Sequence, residues 1–436
     1  MSSALSDEFV LPTNKEIGAT SHPEPDPDSV CTYLCGNSLG PLSKRSKALV
    51  EEELKVWGTC AVTGHFSHPH GRNWVDFCDH ITPLLAELVG AKEKEVACMG
   101  TLTANLHLMM DSFYKPTPER YKILCEAHAF PSDQYAFASQ ALAHGLDPAK
   151  AVLEMSPRPG EYTLREEDIL DTIAREGSSI ALVLFSGVQY YTGQWFPMQS
   201  ITRAAQAQGS ICGWDLAHAV GNVPLALHDW GADFAVWCTY KYVNAGPGSI
   251  AGLYVHEKWK ESELPKFAGW WGHDPATRFA MPPKFSPIEG AQGFQQSNPG
   301  ILVAASLLGS LQIFKEAGMM KPLRERSLQL TGALENLLTK SKYFVPPEEA
   351  SARQSTKPAF TIITPADPDS RGAQLSLLFL PSGVMQKVHN ALNSLGVISD
   401  ERNPDIIRLA PAPLFNTLKD CEQGAIMLER VLDNLV

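Results

Sequence analysis

Trp237-Cys-Thr-Tyr-Lys-Tyr-Val-Asn-Ala-Gly-Pro-Gly248 places a lysine, Lys241, in an aromatic and otherwise uncharged run, directly before a turn rich in glycine and proline. Lysine is seldom buried without a functional reason. Because a neutral amine is easier to desolvate than an ammonium ion, a lysine in such a run is a candidate nucleophile that binds an aldehyde as a Schiff base. The alternative is a lysine at the end of a strand whose ammonium group reaches the solvent.

Apolar runs alternate with amphipathic segments on both sides of this stretch. The mostly apolar runs predict β-strands at 95–99, 121–125, 181–185, 210–218, 233–238 and 248–255. Apolar residues at helical spacing predict helices at 44–57, 74–89, 134–143 and 201–208. Strands that alternate with helices form βαβ crossovers, so the sequence predicts an α/β fold with a mostly parallel central sheet and helices on both faces.

The pattern changes after a long helical segment that begins at Ile301. Strand candidates at 360–364 and 406–409 then lie between helical segments at 385–395 and 418–432, which predicts a smaller α+β domain. We therefore expect three parts. They are an N-terminal segment (residues 1–60) whose helix packs on the small domain, a large domain (61–310) and a small C-terminal domain (311–436).

Several polar and aromatic side chains follow or end the predicted strands. The carboxyl ends of parallel strands meet at one edge of a sheet, so we expect convergence there of Phe130, Ser132, Ser186, Asp215, His218 and Lys241. Asp215 precedes Lys241 by one excursion of the chain to a neighbouring strand. A lysine that binds an aldehyde and a carboxylate that keeps a pyridine nitrogen protonated are what pyridoxal 5'-phosphate requires. The sequence therefore predicts an enzyme that carries this cofactor as a Schiff base on Lys241.

Two further features suit the same cofactor. Gly100-Thr-Leu-Thr-Ala-Asn-Leu-His107 reads as a strand–turn–helix junction, where free backbone N–H groups near Thr101 or Thr103 favour a phosphate. Phe130 would stack on a flat ring, and His218 would orient Asp215 or pack on that ring. Plainer explanations exist, because a threonine is also a common helix N-cap and an Asp-x-x-His pair often makes a local hydrogen bond.

The loop Gly64-His-Phe-Ser-His-Pro-His-Gly71 contains three histidines. Their spacing is not that of a zinc site, and Pro69 interrupts any helical face on which they would converge. We therefore expect no metal in this protein and interpret the loop as exposed or in contact with the substrate.

Composition excludes other classes of partner. The formal net charge is −12, and no basic stripe interrupts it, so nucleic acid is not an expected partner. No apolar run reaches the length needed to cross a bilayer, so no membrane association is expected. The nine cysteines are scattered without a C-x-x-C pair, which is typical of reduced thiols in a cytoplasmic protein.

Several longer stretches together resemble the kynureninase family. They are Tyr33-Leu-Cys-Gly-Asn-Ser-Leu-Gly40, the junction 100–107, Phe130-Pro-Ser-Asp133, Ser186-Gly-Val-Gln-Tyr-Tyr-Thr-Gly193, Trp214-Asp-Leu-Ala-His-Ala-Val-Gly-Asn222, the lysine stretch, Gly269-Trp-Trp-Gly-His273 and Arg408-Leu-Ala-Pro-Ala-Pro-Leu-Phe-Asn416. The resemblance implies a fold-type I, class V aminotransferase-like homodimer with shared active sites. It also implies hydrolysis of L-kynurenine to anthranilate and L-alanine, or of 3-hydroxy-L-kynurenine to 3-hydroxyanthranilate and L-alanine, in tryptophan catabolism and NAD biosynthesis.

The resemblance also implies roles for individual residues. The expected cofactor-binding residues are Leu102, Thr103, Phe130, Pro131, Ser132, Asp133, Ser186, Asp215, His218, Tyr240 and Lys241, with Trp270 and Asn298 contributed by the second subunit. Near the substrate, Ser38, His65, Trp271 and Ser297 would border the aromatic end, and the guanidinium fork of Arg408 would bind the α-carboxylate. The expected catalytic residues are Lys241 as base, Asp215 as partner of the ring nitrogen and Tyr240 as the acid that returns a proton.

Two rivals remain on the sequence alone. The same cofactor serves aminotransferases and cysteine desulfurases, although a desulfurase needs a reactive cysteine on a mobile loop. A catalytically dead relative would be a binding or scaffold protein, which the intact Lys241, Asp215 and Arg408 disfavour. Two positions depart from the family pattern: Trp271 replaces a phenylalanine, which leaves ring preference open, and Pro247 replaces a small residue.

Overall fold

The computed structural model of the chain describes residues 5–19, 21, 26–350 and 352–435. The predicted segment 1–60 therefore lies partly outside the described residues. The strands are, in chain order, β1 (Phe9–Val10), β2 (Thr32–Tyr33), β3 (Leu42–Ser43), β4 (Val96–Cys98), β5 (Lys122–Glu126), β6 (Val152–Met155), β7 (Ile180–Ser186), β8 (Ile211–Asp215), β9 (Phe234–Trp237), β10 (Gly252–Val255), β11 (Ala359–Ile362), β12 (Leu375–Leu380), β13 (Val397–Ile398), β14 (Asp400–Arg402) and β15 (Ile406–Leu409).

The α-helices have the following bounds: α1 (Lys44–Cys60), α2 (Thr82–Val89), α3 (Leu102–Phe113), α4 (Pro131–Ala143), α5 (Pro148–Ala151), α6 (Glu166–Glu176), α7 (Met198–Ala207), α8 (Leu227–Trp230), α9 (Ile301–Glu316), α10 (Met320–Thr339), α11 (Pro347–Ala350), α12 (Met385–Ser394) and α13 (Leu418–Asp433). Short 3-10 helices also occur, among them Ala61–His65, Phe77–His80, Trp270–Gly272 and Gly290–Phe294.

The central sheet has seven strands in the order β4-β10-β9-β8-β7-β5-β6. Pairing is parallel from β9 to β6, whereas β10 runs antiparallel to both β9 and β4. Strand β7 shows why both faces are covered, because Val183 and Phe185 enter one hydrophobic core while Leu182 and Leu184 enter another. The prediction of a mostly parallel α/β sheet with helices on both faces is confirmed.

Some predicted elements differ from the observed ones. The predicted helix 74–89 is divided into the 3-10 helix Phe77–His80 and α2. Pro83 lies in the first turn of α2, where it lacks the N–H that a continuous helix would need. Helix α4 begins at Pro131 rather than at residue 134, so Ser132 and Asp133 belong to its first turn. The sequence patterns also missed β6, α6, β12 and β14.

The C-terminal part contains its own antiparallel sheet, in the order β11-β12-β15-β14. A separate hydrophobic core joins this sheet to α10, α12 and α13 through residues such as Leu334, Phe360 and Leu428. The predicted smaller α+β unit is therefore present, and strand β15 has the predicted bounds.

Helix α9 is continuous across residue 310, where we placed a domain boundary. It packs closely on α1, since a Cβ on Gly309 would lie 2.6 Å from the Cα of Ser46. No single helix among the described residues is long and apolar enough to cross a membrane. Helices α9 and α10 pass that test only as a pair, by length and composition, with a bend of 80° between them.

The segment after β2 links the C-terminal part to the lysine loop. Strand β2 pairs in parallel with β13, and Asn416 Nδ2 donates to the carbonyl of Tyr33, 383 residues earlier. A few residues later the N–H of Gly40 donates to the carbonyl of Tyr240 (2.8 Å). A Cβ on Gly40 would lie 2.4 Å from the carbonyl oxygen of Lys241, so only glycine permits this approach.

Candidate active site

A cavity of about 490 Å³ opens at the carboxyl ends of β5, β7 and β8, where an α/β sheet usually binds its ligand. It is lined by Leu102, Thr103, Phe130, Ser132, Asp133, Ser186, Val188, Tyr190, Asp215, Ala217, His218, Tyr240 and Lys241. Ten of the residues expected to bind the cofactor thus lie around one cavity, and Pro131 begins the helix that supplies Ser132 and Asp133.

Lys241 lies in the loop between β9 and β10 and is half-buried. Its Nζ is 5.8 Å from the ring centroids of both Phe130 and Tyr240. The loop is held by its own backbone, because the N–H of Asn244 donates to the carbonyl of Lys241 (3.0 Å) and that of Ala245 to the carbonyl of Thr239 (3.0 Å). The amine is therefore presented to the cavity by a fixed turn.

Asp215 and Asp133 form a buried carboxyl pair. Asp215 ends β8 and Asp133 lies in the first turn of α4; they are 5% and 3% exposed. Burial raises the pKa of both groups, and the hydrogen bond between them raises the pKa of Asp133 while it lowers that of Asp215. The positive charge of Lys241 acts the other way and lowers the pKa of both carboxyl groups. Asp215 also accepts the N–H of Ala217 (2.7 Å), which favours its ionised form.

His218 lies beside this pair and lines the cavity. Burial lowers its pKa well below the usual value, and the positive charge of Lys241 lowers it further, so the ring is neutral. Among the described residues no group hydrogen-bonds to its buried Nδ1. A neutral imidazole that lines the cavity and has one unsatisfied nitrogen is able to hydrogen-bond to a ligand or stack on it.

Two hydroxyl groups meet where two helices begin. Thr103 Oγ1 and Ser132 Oγ are 2.6 Å apart, in the first turns of α3 and α4. These helices have 12 and 13 residues, so each directs free backbone N–H groups and the positive end of its dipole here. The hydroxyls and N–H groups match a phosphate, the acid pair and His218 match a ring nitrogen, and Lys241 matches an aldehyde. The residues present thus fit pyridoxal phosphate.

Arg408 lies behind the cavity and is fully buried. Its Nη1 donates to the carbonyl of Tyr190 (2.6 Å), and Tyr190 lines the cavity. Its Nη2 forms an ion pair with Asp400, which also pairs with Arg402. Within the described part of the chain Nε of Arg408 has no hydrogen-bond partner. Two arginines share one aspartate, which leaves the cluster with one net positive charge.

The remaining expected site residues lie outside this cavity. Ser38 is in the turn between β2 and Gly40, and His65 packs edge-on against Trp74 with 5.2 Å between ring centroids. Trp271 and Asn298 line a second cavity with Arg278, whose guanidinium lies 4.3 Å from the Trp271 ring centroid. Ser297 and Asn298 line a third. Trp270 is 48% exposed.

The three histidines of the loop 64–71 do not converge. His68 Nε2 contacts Glu53 (2.9 Å) in a buried pair, whereas His65 faces Trp74 and His70 is exposed. Elsewhere, ligand atoms of Glu95, His228 and His256 lie within 4.8 Å of one another. Glu95 there accepts the N–H of Lys92 and of Glu257, and His256 Nδ1 accepts that of Lys258, so these side chains cap local turns.

Sequence reasoning missed three groups at the site. Glu126 ends β5 and contacts Ser186, Tyr190 lines the cavity, and Asp400 pairs with Arg408. The rule that selects polar residues at strand ends would have found Glu126. Tyr190 lies within a stretch that was recognised as a whole but not residue by residue. Asp400 begins a three-residue strand that carries too little pattern to be predicted.

Comparison with protein families gives two matches. Residues 323–428 match the kynureninase C-terminal domain, and residues 76–274 match class-V aminotransferases. Kynureninase of Saccharomyces cerevisiae is 48% identical over 450 residues, covering 99% of this chain and 97% of that protein. Kynureninase of Yarrowia lipolytica is 49% identical, with 89% and 91% covered, and that of Koribacter versatilis is 50% identical, with 95% and 93% covered.

Solved structures share the fold at much lower identity. Apo cysteine desulfurase from Thermococcus onnurineus aligns with a TM-score of 0.71 and 15% identity over 93% of this chain and 95% of that one. A C-DES variant with glycine covalently linked to its PLP cofactor aligns with a TM-score of 0.74 and 17% identity over 92% and 96%. These likenesses show a fold-type I architecture.

Proposed function

The chain belongs to the kynureninase family and is thus a PLP-dependent hydrolase of kynurenine, and from this membership we propose its substrates and the roles of its residues. It hydrolyses L-kynurenine to anthranilate and L-alanine, 3-hydroxy-L-kynurenine to 3-hydroxyanthranilate and L-alanine, or both. This chemistry serves tryptophan catabolism and NAD biosynthesis in the cytoplasm. The observation that carries the proposal is the single cavity that contains Lys241, Asp215 and His218 beside the buried guanidinium of Arg408.

Side-by-side kcat/KM values for the two substrates test this function. Consumption of either one, with aromatic acid and alanine released in equal amounts, would support it. If neither is cleaved while L-cysteine yields sulfide, or an amino group is transferred to a keto acid, the chain is a desulfurase or an aminotransferase instead. Among the described residues no cysteine lines the cavity, which favours the hydrolase.

The cofactor supplies an aldehyde that binds amines and a ring that accepts electron density from the substrate carbon. We propose that Lys241 Nζ binds it covalently and that Asp215 keeps its ring nitrogen protonated. Thr103 and Ser132 bind its phosphate, while Phe130 and His218 pack on its ring. Asp133 completes the buried acid pair beside Asp215.

The substrate is oriented by Arg408, whose unpaired Nε and remaining N–H groups are suited to a carboxylate. With the cofactor bound, Lys241 Nζ would be the base that removes the proton on the substrate Cα. Water adds to the γ-carbonyl carbon, the Cβ–Cγ bond breaks, and the aromatic acid leaves with one oxygen from water. The carbon left behind then needs a proton.

Tyr240 is positioned to deliver that proton. The centroid of its ring lies 5.8 Å from Lys241 Nζ, and Tyr240 lines the cavity. Burial raises the pKa of Tyr240, and the nearby Cys238 thiol raises it further, so the phenol keeps its proton in neutral solution. A protonated phenol can act as a general acid, which is the form needed to donate a proton to the carbon left after the Cβ–Cγ bond breaks.

Tyr240→Phe is therefore expected to lower kcat by roughly 100-fold, the usual contribution of a general acid, and to leave KM nearly unchanged. The cofactor absorbance should persist because Lys241 is retained. Tyr121→Phe is the matched control, since Tyr121 is half-buried like Tyr240 but lies outside the cavity lining. Full turnover by Tyr240→Phe would exclude this role.

An exposed apolar surface supports a homodimer. Phe66, Trp270 and Phe279 are 60%, 48% and 46% exposed and contact one another, with 5.3 Å between the centroids of Phe66 and Phe279 and 5.4 Å between those of Trp270 and Phe279. Val62, in the 3-10 helix before Phe66, and Met281, two residues after Phe279, are more than two-thirds exposed. A patch of this kind indicates a protein interface, and it carries Trp270, which is expected to complete the site of a second subunit.

Co-expression of two inactive variants tests shared sites. Lys241→Ala and Asn298→Ala, each impaired alone, are expected to regain about a quarter of wild-type activity when mixed randomly, because each heterodimer then holds one intact site. Lys241→Ala mixed with Arg408→Ala is the control, since Arg408 lies behind the cavity of the same subunit, bonded to Tyr190, and no intact site forms. Equal activities of the two mixtures would contradict a site shared between subunits.

A further inference from the structure

Glu126 is a buried carboxyl group that no step above uses. It ends β5, is 3% exposed and faces Ser186 at the end of the neighbouring strand β7. Its Oε1 is 2.5 Å from Ser186 Oγ, and the N–H of Ser186 points at both carboxyl oxygens at 3.3 Å. Ser186 in turn lines the cofactor cavity. Glu126 thus lies directly behind a cofactor-facing hydroxyl.

The surroundings of Glu126 contain acids but no partner cation. Asp215 and Asp133 face it across the site, Tyr190 follows β7, and Cys125 precedes it on its own strand. Among the described residues, the groups that shift its pKa most include no lysine, arginine or histidine. Burial raises the pKa of Glu126 to about 7; Ser186 and backbone hydrogen bonds lower it, and Asp215 raises it. Both of its protonation states are therefore populated near neutral pH.

We propose that Glu126 is a positioning residue that sets whether the Ser186 hydroxyl donates a hydrogen bond to the cofactor or only accepts one. A hydroxyl has a single proton. An ionised Glu126 can only accept, so it takes the proton of Ser186 and leaves lone pairs facing the cavity. A protonated Glu126 donates to Ser186 Oγ, and the hydroxyl proton of Ser186 is then free to point at the ligand. Whether Ser186 offers the cavity a hydrogen-bond donor or only an acceptor thus depends on whether Glu126 carries a proton.

Proton uptake should accompany cofactor binding as a consequence. A phosphorylated aldehyde presents mainly acceptor oxygens, which favour Ser186 as donor and hence the protonated form of Glu126. Its affinity is then highest below the pKa of Glu126 and falls as pH rises through about 7. This inference rests on the assignment of pyridoxal phosphate to this cavity.

Glu126→Gln tests the inference without changing side-chain size. The glutamine carbonyl can accept the N–H of Ser186 while its NH₂ donates to Oγ, which fixes Ser186 as donor to the cavity. The readout is the dissociation constant of pyridoxal phosphate from the apoprotein between about pH 6 and about pH 8.5. Above neutrality we expect the affinity of the wild-type protein for pyridoxal phosphate to fall more steeply with pH than that of Glu126→Gln. The difference between the two should reach up to about tenfold per pH unit. Glu154→Gln, on the neighbouring strand β6 and exposed, should behave as wild type.

A double-mutant cycle separates this role from a merely structural one. In a Ser186→Ala background there is no hydroxyl to turn, so Glu126→Gln should no longer change the pH dependence of cofactor affinity. The inference is overturned if Glu126→Gln and wild type share one pH profile, or if the difference between them survives in Ser186→Ala. Failure of the wild-type protein to bind pyridoxal phosphate at any pH would instead overturn the proposed function.

Discussion

Lys241→Ala is expected to lower kcat by roughly ten-thousand-fold, because a single substitution removes both the covalent attachment of the cofactor and the base at the substrate Cα. Lys241 is the only lysine among the described residues that line the cavity, so no neighbour can replace its amine. Thr103, Ser132 and the acid pair are unchanged, so the variant should still bind pyridoxal phosphate reversibly. Steady-state rates and borohydride trapping, followed by peptide mapping, measure both effects.

The trapped peptide makes this prediction specific. In the wild-type protein, borohydride should fix the cofactor on the peptide that contains Lys241, and in Lys241→Ala it should fix none. Lys340→Ala is the matched control, because Lys340 is exposed beyond the end of α10. Retention of more than a tenth of the activity by Lys241→Ala, or trapping on another lysine, would refute the assignment.

Arg408→Lys is expected to lower kcat/KM by about 100-fold or more, mainly through KM. The guanidinium of Arg408 contacts Tyr190 and Asp400 at once and still has an unpaired Nε for the substrate carboxylate. A lysine keeps the positive charge but has a single nitrogen. It cannot bond to Tyr190 and Asp400 and also bind the substrate carboxylate through two parallel hydrogen bonds. Because Arg408 is absent from the lining around Lys241, the cofactor absorbance should not change.

Arg402→Lys is the natural comparison for this variant. Arg402 shares Asp400 with Arg408, but its side chain is 33% exposed and its remaining described contact is with the carbonyl of Glu401. Arg402→Lys should therefore change KM much less than Arg408→Lys does. Loss of cofactor absorbance in Arg408→Lys would indicate a structural role for Arg408, and an unchanged KM would remove it from substrate recognition.

The parts of the fold that could be predicted are those in which the burial of a segment produces a clear apolar pattern within that segment's own sequence. The run 181–185 is buried on both faces of the sheet and therefore reads as a continuous apolar strand. β12 is equally apolar, but its length and composition do not separate a strand from a buried helix. β6 and α6 carry exposed polar residues that blur their patterns.

The direction of β10 depends on what lies between it and β9. A parallel neighbour needs a crossover of a dozen or more residues, usually a helix. The connection from Cys238 to Ala251 contains no helix and is instead the lysine loop, so the chain turns back and β10 is antiparallel. The motif that indicated the chemistry thus also reverses the strand that follows it.

The cofactor cavity was predictable because strand ends converge, whereas the polar groups behind it were not. Asp215 and Lys241 could be placed from their positions after strands, but the pairing of Arg408 with Asp400 depends on a register between two C-terminal strands. Trp270 and Asn298 do not line the cavity of this chain. Their expected role depends on a second chain, and one sequence carries no pattern for that arrangement.

The link from β2 to the C-terminal part has a consequence for biosynthesis. Tyr33 is bonded to Asn416, and the turn that follows Tyr33 holds the backbone at Tyr240. The hydrogen bond between Tyr33 and Asn416 joins residues 383 positions apart and cannot form until Asn416 has left the ribosome, since loop closure over such a separation comes late. The turn that supports the lysine loop is therefore fixed at Tyr33 late in folding. Competence to hold the cofactor should then appear as one of the final events of folding.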